Sequence, residues 1–294
     1  MLRQKWLSQT HPVTGEPDAP AGVCYLPDLS VLRFEGNDAA TFLQGYVTCD
    51  TQKLSPKRLQ PAAVCNLQGR VVFNGWCVRA DDAEKGPVDL IVHRSLAPRV
   101  ASFLEAYLRF SRTSLADMGE DILVFGYLAN DPPPGALRIS EDIGLLLADD
   151  LEKAEKIWHD LPHAPTEVWQ AHRLAEGWPL ISTPTSESFL PQMLDLDRLG
   201  AISFDKGCYL GQEIVARAQH RGKVKRRLAR LNWTGPEAPA AGTEVTHADD
   251  ASRACGTLVE AARLSEHGGI AIAVIAEAAP DELRVGECRL SARG

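Results

Sequence analysis

Hydrophobic and polar positions alternate over residues 29–34, the period of a strand with one face in a core. Glu35-Gly36 ends that pattern and Asn37-Asp38 supply capping side chains, so the spacing of Ala39, Phe42, Leu43 and Tyr46 predicts a helix over 39–47. Residues 61–79 read as a hairpin. Ala62-Ala63-Val64-Cys65 leads to a turn at Asn66-Leu67-Gln68-Gly69, and Arg70-Val71-Val72-Phe73 continues through Trp76 to Val78. A short strand over 88–92 follows, and Ser95 is placed to cap the next helix. In that helix Val100, Phe103, Leu104, Tyr107 and Leu108 recur at i, i+3, i+4, i+7 and i+8, the stripe of a core-facing surface. Strands over 122–128 and 144–148 flank the turn Pro132-Pro133-Pro134-Gly135. Two helices come next, over 151–161 and from Pro165 to about 176, where Gly177-Trp178-Pro179 stops the second.

After Lys225 the texture changes to short apolar runs (228–233, 243–246, 256–259, 270–275, 283–285, 288–290) separated by Gly and Pro turns. That pattern predicts a small β-barrel over 226–294. Residues 1–22, with Pro12, Gly15, Pro17, Pro20 and Gly22, read as a loose lead-in. Residues 23–225 then form the main α+β region, two interleaved subdomains with a boundary near 115–120.

Composition narrows the chemistry. With 45% hydrophobic residues in 294, the chain can build a sizeable core. No apolar run approaches the roughly 20 residues that span a bilayer, and Met-Leu-Arg-Gln-Lys-Trp lacks a secretory segment, so a soluble cytoplasmic protein without a membrane partner is expected. Seven cysteines without a Cys-x-x-Cys pair signal neither a disulfide framework, a zinc ribbon nor a permanent iron–sulfur cluster. The histidines show no ligand spacing and no Gly-x-Ser-x-Gly elbow is present, so no metal site is assigned. The net charge is −8, yet residues 214–230 hold seven Lys or Arg and no Asp or Glu. That stretch is either a solvated strand edge or an anion site.

The densest chemistry lies over 203–217, Ser-Phe-Asp-Lys-Gly-Cys-Tyr-Leu-Gly-Gln-Glu-Ile-Val-Ala-Arg. Gly207 and Gly211 bracket a tight backbone wrap that feeds a helix. Cys208 stands near the helix start with Lys206 beside it, and both favour a thiolate. Gln212 and Glu213 occupy the first turn. Tyr209, flanked by glycines, is the candidate to stack on a flat ligand, with Trp178 second, whereas Trp158 and Trp169 read as packing. The competing reading is a gap-filling Cys208 beside a solvated Lys206.

Lys206-Gly207-Cys208-Tyr209-x-Gly211-Gln212-Glu213 resembles the signature of the YgfZ-type folate-binding proteins, bacterial relatives of the glycine-cleavage T-protein. Phe189-Leu190-Pro191-Gln192, Gln219-His220-Arg221-Gly222, Phe42-Leu43-Gln44-Gly45 and Thr48-Cys49-Asp50 are similar to that family as well, and the likeness covers nearly the whole chain. It implies a T-protein-like ring of ferredoxin-like units with a C-terminal barrel and tetrahydrofolate in a central cavity. Cys208 would be the essential thiol, assisted by Lys206. Gly207, Tyr209, Gly211, Gln212, Glu213, Arg217, Trp178 and Asn74 would contact the folate. The implied partners are iron–sulfur enzymes or their assembly proteins, including those that modify tRNA; the basic stretch, read from its charge, offers tRNA phosphates or the folate's carboxylate tail a site over 217–230. Phe73 and Asn74 stand where the T-protein has acids, and Ala175, beside Glu176, where it has a pterin-binding glutamate. Lacking those carboxylates, the chain reads as an assembly factor more than an aminomethyltransferase. The alternatives are a folate-dependent one-carbon transferase and an RNA-binding module.

Overall fold

The computed structural model describes residues 1–9, 21–81, 83, 85–221, 224–280 and 282–293. Its secondary structure opens with helix α1 (Leu2–Leu7), strand β1 (Gly22–Tyr25), strand β2 (Leu29–Glu35) and helix α2 (Ala39–Gln44). The loose lead-in is therefore corrected at both ends: α1 buries Trp6, and Gly22 begins a strand. The residues between them, 10–20, lie outside the described set.

The hairpin appears as β3 (Gln60–Cys65) and β4 (Val71–Arg79), followed by β5 (Val88–His93), α3 (Ala97–Leu108) and β6 (Ser114–Asp117). Ser95 is not the cap of α3. It sits inside a 3-10 turn whose capping side chain is His93, and its hydroxyl accepts the Thr183 amide instead. Strands β2 to β6 make an antiparallel sheet in the order β3-β4-β5-β2-β6. One face packs under α2 and α3, where Phe42, Leu43, Val100 and Leu104 meet Phe34, Phe73 and Val92.

A second sheet, β1-β7-β9-β8, is built from β1, β7 (Leu123–Leu128), β8 (Leu137–Arg138) and β9 (Ile143–Ala148). Strand β7 shows why strict alternation matters. Val124 and Leu128 meet Val31, Trp76 and Ile91 of the first sheet, while Leu123, Phe125 and Tyr127 face α1 and α4 (Leu151–Asp160). The two sheets thus share one core between them, and helices close the outer faces.

Helix α5 (Thr166–Ala175) crosses from this core to the C-terminal unit, and α6 (Gln212–Arg221) follows a long irregular passage. Strands β10 (Arg226–Thr234), β11 (Glu244–His247), β12 (Ala254–Ser265), β13 (Gly268–Ala276), β14 (Glu282–Val285) and β15 (Cys288–Ala292) close a barrel in the order β10-β13-β12-β11-β14-β15. Leu231, Trp233, Leu258 and Leu290 fill its interior. Its outer face is equally apolar on one side, where Val259, Ile270 and Ile272 join the core containing Leu174 of α5. The barrel is therefore packed against the α+β body rather than tethered to it. Among the described residues no helix is long and apolar enough to cross a membrane.

Candidate functional site

Two separate places carry chemistry. The first is the loop ahead of α6. Gly211 (φ +80°) faces Gly69 (φ +69°) across the turn of the β3–β4 hairpin. A Cβ on Gly211 would lie 2.4 Å from the Asn66 carbonyl oxygen, and one on Gly69 would lie 2.9 Å from the Ile214 side chain. Only glycine allows both the handedness and the approach. Gly211→Ala is expected to lose about 2 kcal/mol or more, since the left-handed region alone costs roughly 1–2 kcal/mol for a residue with a Cβ. Urea unfolding measures it, and an unchanged midpoint would show that the turn yields.

The rest of the loop is anchored from below. Leu210 donates its amide to the Gly45 carbonyl at the end of α2, and Gln212 accepts the Tyr209 amide. Lys206 is buried, and its Nζ donates to the carbonyls of Val47 (2.8 Å) and Cys49 (2.7 Å) while lying 5.3 Å from the centre of the Tyr209 ring. Burial lowers its pKa. Lys206, expected to act on the thiol, is thus a strut between the loop and the segment after α2. Cys208 is exposed, and the space about Gly207 is open. The gap-filling reading of Cys208 is excluded by that exposure.

Tyr209 corrects another expectation. It is buried, burial pushes its phenol up, and its hydroxyl has no partner among the described residues, so it offers no open face to a ligand. Glu213 and Arg217 pair with each other on the solvent side of α6 at 3.1 Å. Of the seven cations over 214–230, Arg227 also meets Asp195 (3.8 Å) and Arg230 donates to the Ala175 carbonyl, leaving Lys225 and Arg226 exposed and without a side-chain partner among the described residues. Lys223 and the side chain of Arg221 lie outside the described residues.

The second place is a cavity of about 200 Å³ where all three units meet. Leu26 and Asp28 come from the β1–β2 connection, His93 from the end of β5, Trp169 and Arg173 from α5, and Glu260 from β12. Arg173 is 1% exposed. Its Nη2 donates to Glu260 Oε1 and its Nη1 to the Trp178 carbonyl, while the guanidinium lies 5.4 Å from the Trp169 ring centre. Glu260 Oε2 accepts the Leu180 amide. The Nε of Arg173 has no acceptor among the described residues. The Nδ1 of His93 accepts the Ser95 amide, which leaves the neutral ring's proton on Nε2, and burial lowers the imidazole's pKa.

The motif residues, Cys208 among them, do not line this cavity. Asn74 and Trp178 border it only indirectly. Asn74 is buried, donating to the Pro179 carbonyl (2.6 Å) and accepting the Ile181 amide (2.9 Å), which clamps the segment carrying Leu180 into the cavity wall. Half-buried Trp178 supplies its backbone carbonyl rather than its ring. Glu176, beside Ala175, is held by Ser140 (2.9 Å) away from the cavity lining.

Sequence reasoning missed His93, Arg173, Glu260 and the cavity-facing side of Trp169. Glu260 left a signal. It interrupts an apolar run, and at Leu258–Glu260 the β12–β13 register shifts by a bulge, a device that re-aims a side chain.

No family model matches the chain. Whole-sequence comparison finds the tRNA-modifying protein YgfZ of Edwardsiella ictaluri, 30% identical over 89% of this chain and 86% of that one. The protein of that name from Klebsiella pneumoniae is 30% identical over 84% and 83%, and that from Aliivibrio fischeri 27% over 88% and 86%. In fold, the chain is similar to the glycine cleavage system aminomethyltransferase T from Bartonella henselae, with a TM-score of 0.69 over 95% of this chain and 86% of that one. At 13% identity that likeness speaks for architecture alone, and it agrees with the two-sheet body and closed barrel described above. At this identity and coverage the chain belongs to the YgfZ family.

Proposed function

We propose that this chain binds a reduced folate, tetrahydrofolate or a one-carbon derivative, in the cavity between its three units, and uses the Cys208 thiol to support assembly or repair of iron–sulfur enzymes that modify tRNA. The observation that carries the reading is Arg173, a buried guanidinium that lines a cavity walled by an aromatic ring and whose Nε has no partner among the described residues. Relatives named as tRNA-modifying proteins supply the process.

The cavity suits part of a folate. Its volume of about 200 Å³ falls below the roughly 300–1,000 Å³ of sites that engulf a drug-sized ligand, so it takes the bicyclic ring head and leaves the tail outside. Arg173 Nε would donate to a ring acceptor, Trp169 would wall the ring, and His93, kept neutral by burial, would present Nε2–H without adding charge. A bound reduced folate would supply one-carbon chemistry at its ring nitrogens. The chain's own groups bind and orient. Phe73 is buried in the core and Asn74 is occupied as a clamp, so neither position can move a proton at the ligand. Of the two carboxylates that line the cavity, Glu260 has both oxygens engaged and Asp28 is exposed to solvent. These facts favour a binding protein over an aminomethyl transferase.

Cys208 stands outside the cavity on an exposed, rigidly anchored loop. Such a thiol can meet a partner's sulfur or cluster, or be reversibly oxidised, while folate occupies the centre. Two measurements test the proposal. Calorimetric titration with tetrahydrofolate and 5-formyl-tetrahydrofolate is expected to give one saturable site that Cys208→Ser retains. Cells carrying Cys208→Ser are expected to lose maturation of a cluster-dependent tRNA thiolation enzyme. Absent folate binding defeats the first half and undiminished thiolation the second. Steady turnover of methylene-tetrahydrofolate would instead favour the transferase.

A further inference from the structure

Between the two sheets, on a side the barrel does not reach, lies a larger cleft of about 470 Å³. This falls within the roughly 300–1,000 Å³ of small-molecule sites, which are mostly apolar with a few placed polar groups. Its floor is hydrocarbon: Val78 from the first sheet, and Leu137, Leu146 and Leu147 from the second. Ile157 and Leu161 of the α4 region wall one side and are only half-buried, as is Leu147. Apolar side chains left partly open inside a concavity mark a place that gains from being filled.

The rim carries Arg33, Arg79, Lys153 and Lys156 against Asp89, Asp149 and Asp160. The cleft is thus net cationic in a chain of net charge −8. Its ion pairs are unequal. Arg33 is gripped by the buried carboxylate of Asp89 through two 2.8 Å bonds and is fixed. Lys153 and Lys156 pair with Asp149 and Asp160 one helical turn away, with every partner more than half exposed. Exposed pairs of this kind hold weakly, so both ammonium groups can turn to a ligand while their alkyl stems extend the apolar wall.

We propose that this cleft is a second binding site, for an amphipathic organic anion with an apolar ring or chain body lying on the Leu147–Ile157 floor and one anionic head between Lys153 and Lys156. It is independent of the folate reading, because it shares no lining residue with the central cavity.

The probe is anilinonaphthalene sulfonate, with uncharged phenylnaphthylamine as its analogue, titrated by fluorescence into the full chain. The sulfonate is expected to bind one saturable site, weaken with added salt, and bind about tenfold tighter than the neutral analogue, the ratio of one well-placed charge contact. Lys153→Gln/Lys156→Gln should remove that advantage and leave the analogue's affinity unchanged. Ile157→Trp should weaken both probes by filling the floor. Should Ile157→Trp fail to fold, the lysine pair decides alone, since both sites are on the solvent face of α4. Methyl NMR shifts on titration should fall on Leu147 and Ile157. No saturable binding, equal affinity for the neutral analogue, or shifts on Val259 and Ala261 in place of the cleft residues would each overturn the proposal.

Discussion

Arg173→Ala is expected to lower the free energy of unfolding by about 3–5 kcal/mol, the cost of removing one partner from a buried ion pair. Three groups depend on this side chain. Glu260 would keep its carboxylate on the barrel face that meets α5 without a counter-ion, the Trp178 carbonyl would lose its donor, and the Trp169 ring would lose the cation beside it. By contrast, exposed pairs such as Lys153 with Asp149 contribute about 0–1 kcal/mol. The double variant Arg173→Met/Glu260→Met should recover part of the loss, because hydrocarbon of similar volume replaces both charges. Recovery stays incomplete, since the Leu180 amide still loses its acceptor. Urea unfolding of the parent, both single variants and the double variant gives the coupling directly. Titration with tetrahydrofolate separates scaffold from ligand contact: the Arg173 variant and the double variant alike should lose binding, as neither carries the Nε donor. A double variant that binds like the parent would reduce Arg173 to a structural role.

Much of the fold was legible because its elements obey simple periods. Strands β2, β4 and β7 alternate cleanly or are buried on both faces, α3 carries a continuous apolar stripe, and the barrel's short runs fall between Gly and Pro turns. Strand β6 was not legible, for Ser114–Asp117 is an exposed edge whose residues take strand form only by pairing with β2. The site was legible in its residue types and illegible in its directions. Lys206 and Cys208 are two apart in sequence, which suggests mutual influence. In the folded chain one side chain is buried among carbonyls and the other is in solvent. Tyr209, the residue after Cys208, follows the lysine inward. Likewise nothing in the order of the chain announces that His93, Arg173 and Glu260, spread over more than half its length, line one cavity. That juxtaposition is created by packing the barrel against α5.

Lys206→Met is expected to cost about 3 kcal/mol, because two buried carbonyls, those of Val47 and Cys49, lose their donor and each unsatisfied group costs roughly 1–3 kcal/mol. Lys206→Arg should not restore it, since a planar guanidinium cannot direct one compact donor at two carbonyls from the same buried position. The pH dependence has a definite sign. Burial lowers the pKa of Lys206 below its ordinary 10.5, so between the lowered value and 10.5 the unfolded chain holds more protons than the folded one. The parent's stability therefore gains with rising pH in that window, a gain the Met variant lacks, and the gap between them widens toward pH 10.5. The local consequence is what matters for Cys208. With the strut gone, the loop keeps only backbone ties such as the Leu210 amide to the Gly45 carbonyl, and hydrogen exchange at Leu210 should accelerate ahead of global unfolding. If Lys206→Met unfolds within about 0.5 kcal/mol of the parent, the range of an ordinary surface change, and Leu210 exchanges as before, the lysine is not a strut. Its charge would then be available to the thiol after all, and the separation drawn here between anchoring residue and reactive residue would fail.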